Sequence, residues 1–282
     1  MSAHPYFRKR IALTTKHEKL RLIKPAFDES VGCELFEVNL DTDKLGTFSG
    51  EIERIAPPLE TAIQKARLGM KETGILIGIA SEGSVGPDPI VPFIHSSIEH
   101  LVLVDDEIGI VISETYRSFD ITAAAITAAP GQDLTSFLKK ADFPNHALIV
   151  RPNTQITSNC IKGINNHEQL MAAIEKISKH SYNGFVVLES DLRAMHSPTR
   201  QRNIEEVAKL LVKRVSQLCP NCQIPGWGRV GYEKGLNCSE CELNNPDAIR
   251  QEKLGCVKCD HTELGRVLSS TLNPAQCNFC NP

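Results

Sequence analysis

The chain has 282 residues, with 31 basic and 34 acidic side chains, a formal net charge of −3 and 41% hydrophobic residues. That length suits one large domain or two unequal ones with ample material for a core, and the near-balanced charge argues against a global attraction to nucleic acid or an anionic membrane. No apolar run reaches the ~18 residues of a membrane span and residues 1–10 carry no apolar leader core, so a cytoplasmic protein is expected.

Residues 11–15 read as a first strand, which runs into Lys16-His17-Glu18-Lys19. A helix follows with Leu20, Ile23 and Phe27 near helical spacing, and it must tolerate Pro25 or bend there. Basic residues at such a junction are placed to meet an anion beside the positive end of a helix, or they form a solvated turn. Residues 35–38 predict a second strand. After Pro57-Pro58, residues 59–70 predict a helix by periodicity and alanine content, with Glu60 in a first turn where an acid is favoured in any case.

Residues 74–80 form a short apolar run expected to be a buried strand, and residues 81–89 a glycine-rich loop carrying Glu82 just past its end. Ligands of open α/β sheets bind outside the carboxyl ends of strands. Glu82 is therefore a candidate handler of metal or phosphate, or a solvated turn acid. Residues 99–112 read as a β-hairpin whose turn, Asp105-Asp106-Glu107, is either a cation site or an ordinary acidic turn.

Residues 123–129 are alanine-rich and ambiguous. A short helix is expected at 134–141, a strand at 146–150, a helix at 166–177 and a buried strand at 185–188. A polar loop then carries Glu189, Asp191, Arg193, His196, Arg200 and Arg202 ahead of an amphipathic helix at 204–218. The arginines could clamp phosphate or a planar base, or pair with Glu189 and Asp191 as a structural network. Strands alternating with helices predict an α/β domain over residues 1–216, a mixed sheet with helices on both faces and an inserted hairpin.

Eight of the ten cysteines form four C-x-x-C pairs within residues 217–282: Cys219 and Cys222, Cys238 and Cys241, Cys256 and Cys259, Cys277 and Cys280. This spacing predicts a small double zinc-ribbon module with two structural Zn²⁺ sites in a reducing compartment. Pairing in sequence order and an interleaved cross-brace are both open. Four thiolates leave no position for substrate. From Cys219 onward six basic residues face seven acidic ones, a net charge of −1, which does not suit a phosphate-neutralising surface. A docking or stabilising module is expected, with Trp227 as its miniature core and Cys33 and Cys160 as buried thiols.

Nearly the whole chain resembles a bacterial family catalogued only as a domain of unknown function with a cysteine-rich tail. The resemblance is carried by Thr15-Lys16-His17, Gly46 through Glu51, Ala80-Ser81-Glu82-Gly83-Ser84, Phe143-Pro144-Asn145-His146, Asp191-Leu192-Arg193-Ala194, Pro198-Thr199-Arg200 and the four C-x-x-C pairs.

The first two hundred residues also resemble the inosine triphosphate pyrophosphatase and Maf-like superfamily, a mixed α/β fold. That superfamily has a T-x-N-x-x-K turn holding triphosphate; Thr14 to Lys19 keeps its outer spacing, with Lys16 in place of the Asn. Glu60-Thr61-Ala62-Ile63-Gln64-Lys65-Ala66 is similar to its metal-binding E-N-A-x-x-K-A helix at all but the Asn. Ala80-Ser81-Glu82-Gly83-Ser84 stands where the pyrophosphatases have paired Asp, and residues 196–200 where an S-H-R turn reads the base.

The resemblance implies a nucleoside triphosphate pyrophosphohydrolase. Glu60 and Glu82 would hold Mg²⁺ or Mn²⁺, and Lys19 and Lys65 would neutralise the triphosphate. Thr15, His17, Ser84, Asp191, Arg193, His196 and Arg200 would contact the nucleotide. The missing second carboxylate either removes the base or is replaced by Asp88 or Asp191. The alternative is a non-catalytic nucleotide-binding or protein-interaction module that docks a protein partner through its zinc tail.

Overall fold

The computed structural model describes residues 4–16, 18–46, 56–154 and 159–282. Strand β1 (Arg10–Thr14) is buried from Ile11 onward and pairs in parallel with β2 (Glu34–Val38) on one side and β3 (Ile77–Pro87) on the other. β3 then pairs antiparallel with β4 (His95–Asp105), and β4 with β5 (Ile110–Ser118), in the order β2-β1-β3-β4-β5. One half of this mixed sheet is parallel and the other is a meander.

Helix α1 (Leu20–Ser30) follows β1 and buries Leu22, Ile23 and Phe27, the expected stripe. Pro25 lies inside α1 without ending it, on its exposed side, where solvent can satisfy the carbonyl that loses its partner. Helix α2 (Pro58–Thr73) starts with a proline and ends at Gly74 in the left-handed region, φ 68°. Alternation along β4 sorts the two faces. Leu101 and Leu103 join the core beneath α1 and α5 (Pro198–Val215), while Val102 and Val104 join the core beneath α2.

A second sheet differs from the single sheet expected. It contains β6 (Ala125–Ala128), β7 (Leu148–Pro152), β8 (Ile161–Ile164) and β9 (Val186–Ser190), ordered β6-β9-β7-β8 and antiparallel throughout. Helices α3 (Thr135–Lys140) and α4 (His167–Ser178) pack here over a core that includes Leu148, Leu170, Ile174 and Leu188. Asn166 caps α4 by accepting from the Gln169 N–H.

Two local expectations are corrected. The glycine-rich stretch at 81–89 is strand as far as Pro87, with Glu82 buried in mid-strand. Its Gly83 marks a close approach of neighbouring side chains rather than a turn. Helix α5 starts at Pro198, six residues before the expected position, so Arg200 and Arg202 are helical. The chain His146–Thr199 explains this start: His146 Nε2 accepts the Thr199 backbone N–H at 3.3 Å, while Nδ1 bonds Asp142 at 2.9 Å. An imidazole thus caps the helix from another segment.

The tail forms a three-stranded antiparallel sheet of β10 (Gly228–Asn237), β11 (Asn244–Gly255) and β12 (Thr262–Val267). It docks on the main domain. Lys258 Nζ donates to the Ile108 carbonyl at 2.7 Å, and Arg214 on α5 bridges Glu114 and the Gly226 carbonyl at 3.1 and 3.2 Å. Gly226, at φ 102°, leaves no room for a side chain against Ile112. Trp227 is buried and stacks on His261, as a small core residue does. Among the described residues no helix is long and apolar enough to cross a membrane.

Candidate functional site

β1 ends at Thr14, opposite Ala80, while β3 runs on to Pro87, and a cleft opens beyond the carboxyl end of β1, where open α/β sheets bind ligands. Lys16 reaches it from the turn after β1, Lys19 from the start of α1, Lys65 from α2 and Arg200 from the first turn of α5. Thr15, Ser81, Glu82 and Gly83 complete its walls. Four cations from four segments converge in a space of about 40 Å³, room for roughly three waters or one compact anionic group.

Strand alternation decides which cation meets which partner. Glu82 faces α2, and its carboxylate takes Lys65 Nζ at 2.6 Å with both side chains largely buried. Ser81 faces the opposite side, toward α1, and bonds Lys19 Nζ at 2.8 Å. Opposite Gly83 on β4 lies Glu99, fully buried, which takes Arg200 through Nε at 2.5 Å and Nη2 at 3.1 Å. Arg200 Nη1 donates to the Leu192 carbonyl at 2.7 Å. Lys16 pairs with Asp41 at 3.0 Å. Burial and the neighbouring Arg200 charge lower the Lys19 ammonium to about 8, against the opposing pull of Glu99 and Glu82.

Leu192 also lines a second, larger cavity of about 420 Å³, together with Val85, Gly86, Ala123, Ile149, Asp191 and Arg193. Its size lies in the range of small-molecule sites. The two spaces adjoin at the Arg200–Leu192 contact.

The structure therefore brings Thr15, Lys19, Lys65, Glu82 and Arg200 into one cleft, and Asp191 and Arg193 into the adjoining cavity. Ser84 lies on β3 between the two, half-buried. His196 sits in a short turn against Gly163, where burial lowers its imidazole pKa. His17 lies outside the described residues. Glu60 is exposed in the first turn of α2 and is not among the described residues that line the cleft.

The polar loop after β9 is largely a network of ion pairs. Asp191 holds Arg193 at 2.6 Å and the Gly163 N–H at 3.0 Å, and Arg202 meets Asp120 at 2.9 Å. Asp88 is committed to Arg117 through two bonds of 2.6 Å. Neither aspartate reaches the cleft. In the β4–β5 turn, Asp105 accepts from Tyr6 while Asp106 and Glu107 pair with Arg67 and Lys9, so these acids build the turn. With Glu82 held by Lys65 and Glu60 outside, the described residues do not by themselves form a divalent-cation site, which needs several hard oxygens.

Glu99 and Ser81 were not anticipated as cleft residues. A signal for Glu99 was present: strand alternation puts it on the face of Leu101 and Leu103, where an unpaired acid would be costly.

The tail holds two four-cysteine groups. Cys219 and Cys222 meet Cys256 and Cys259; Cys238 and Cys241 meet Cys277 and Cys280. The pairing is the interleaved cross-brace. Neighbouring sulfurs stand 3.6 to 3.8 Å apart, and a tetrahedron with Zn–S bonds of about 2.3 Å has edges of about 3.8 Å. Backbone N–H groups of Lys258 and Phe279 point at Cys256 and Cys277 sulfurs at 3.3 and 3.4 Å, which steadies thiolates. Both groups can hold zinc, and neither offers an open coordination position.

A family model described as a domain of unknown function (DUF6671) matches residues 65–282. No curated protein matches the sequence. Among solved structures, the nucleoside-triphosphatase / dITP/XTP pyrophosphatase of Mycobacterium abscessus aligns at 17% identity and a TM-score of 0.27, over 38% of this chain and 71% of that one. A likeness of that size assigns no chemistry.

Proposed function

The chain belongs to the family described as domain of unknown function DUF6671, and we propose that it hydrolyses nucleoside triphosphates to the monophosphate and pyrophosphate. The observation that carries this reading is the convergence of Lys16, Lys19, Lys65 and Arg200 on one narrow cleft that adjoins a small-molecule-sized cavity. Polyphosphate is an anion that this group of cations suits, and the cations would stabilise charge developing on its departing oxygens.

The phosphate chain takes the cleft and the nucleoside takes the larger cavity. Arg200 stands between them, held rigid by Glu99 and Leu192 so that its position costs no reorganisation during reaction. Mg²⁺ or Mn²⁺ belongs on the substrate side of this reading, with the polyphosphate rather than a preformed carboxylate cage. The zinc groups stabilise the tail.

The exposed position of Glu60 favours one second reading, a nucleotide-binding module without turnover. The two separate on pyrophosphate release from a panel of ordinary and deaminated nucleoside triphosphates, with Mg²⁺ or Mn²⁺. Turnover that falls at least tenfold in Lys65→Gln supports the hydrolase. Binding without release of pyrophosphate on any substrate leaves the binding module.

A further inference from the structure

Three of the cations at the cleft have a carboxylate partner: Lys65 has Glu82, Arg200 has Glu99 and Lys16 has Asp41. Lys19 differs. Its ammonium is almost fully buried, forms no ion pair among the described residues, and bonds the hydroxyl of Ser81 at 2.8 Å. Ser81 lines the same cleft and is itself buried, on the strand that also positions Glu82 and Gly83. An amine with no carboxylate in direct contact among the described residues, hydrogen-bonded to a hydroxyl in this cationic cleft, has the geometry that activates a nucleophile.

We propose that Ser81 and Lys19 are a nucleophile–base pair acting on a phosphorus bound in the cleft. This rests on the reading of the cleft as a polyphosphate site. Ser81 Oγ attacks the α-phosphorus as its proton passes to the neutral Lys19 amine. The Oγ–P bond forms, the P–O bond to the β-phosphate breaks, and the Lys19 ammonium returns that proton to departing pyrophosphate. Water then attacks the nucleotidyl ester, giving its proton to Lys19. The P–Oγ bond breaks, monophosphate leaves, and Lys19 returns the proton to Ser81. No oxidant or further reactant is needed.

The charge state is compatible. With an ammonium lowered to about 8, about one Lys19 in ten is neutral at pH 7, against fewer than one in a thousand for an ordinary lysine. The burial of Nζ and, after it, the like charge of Arg200 supply that shift. The pair also answers a need left by Asp88 and Asp191, which are committed elsewhere.

The test uses the full zinc-loaded chain and an alkyl phosphonofluoridate, with mass spectrometry of the peptides between pH 6 and 9.5. The expected result is a single phosphonyl adduct on Ser81, formed faster as pH rises through about 8 and slowed by pyrophosphate. Lys19→Arg keeps the charge and loses the base, so labelling should fall at least 100-fold. Lack of an adduct on Ser81 in wild-type protein that retains both zincs overturns the proposal. So does labelling of Lys19→Arg at the wild-type rate, or nucleotide turnover undiminished in Ser81→Ala. Failure of the broader reading looks different: Ser81 is labelled, yet no nucleoside triphosphate is hydrolysed. A variant-free check is competitive acetylation of wild-type protein, in which Lys19 should titrate well below the other lysines; titration alongside them counts against the pair.

Discussion

Gly83 faces Glu99 across the β3–β4 pairing with no space for a β carbon: one placed there would lie 2.5 Å from Glu99 Oε2 and 2.6 Å from Arg200 Nη2. Gly83→Ala must therefore displace a fully buried ion pair. A loss of about 2–4 kcal/mol is expected, since overpacking and disturbance of a buried pair both contribute. Gly86→Ala on the same strand meets nothing within 4 Å and should cost less than about 1 kcal/mol. Urea unfolding of the two variants checks the contrast; equal losses would mean that Gly83 is needed for something other than this close approach.

The interleaved cysteine pairing makes a prediction about stoichiometry. Cys219→Ser with Cys256→Ser removes two ligands from one group and should cost one zinc in native mass spectrometry, leaving the other bound. Cys219→Ser with Cys238→Ser damages both groups and should cost two. Pairing in sequence order predicts the reverse.

Lys19 should make stability depend on pH in the alkaline range. Its ammonium is lowered to about 8 in the folded chain by burial and by Arg200, from 10.5. Between those values the unfolded chain binds more protons, so stability rises with pH across the window. Below pH 8 the buried charge carries its full cost, about 3 kcal/mol at roughly 1.4 kcal/mol per pKa unit. The stability of wild type relative to Lys19→Met should therefore climb by that order between pH 7.5 and 10.5. A flat difference would mean that the folded ammonium titrates like an exposed lysine.

Local pattern carried much of the architecture. The apolar stripe of α4, the strand at β1 and the β4–β5 hairpin follow from spacing that a short window contains. The cysteine tail was legible as a metal module because four C-x-x-C pairs have few other uses, although interleaving depends on the path of β10 to β12. What was hidden is non-local. Gly83 reads as a turn residue until Glu99 and Arg200, 101 residues apart, are seen to meet behind it. The start of α5 is set by His146, 53 residues upstream of Thr199, and no window around Pro198 contains it. The same holds for the cleft: Lys19, Lys65 and Arg200 share no local motif, and Glu60, which sits in one, lies outside.

The central claim is that this cleft is a polyphosphate site, and calorimetric titration of the zinc-loaded chain with inorganic pyrophosphate tests it most directly. The account predicts saturable binding of one pyrophosphate per chain, weakened at least tenfold in Lys65→Gln and progressively weakened by added salt. Absence of binding to wild-type protein, or an unchanged affinity in Lys65→Gln, would contradict it.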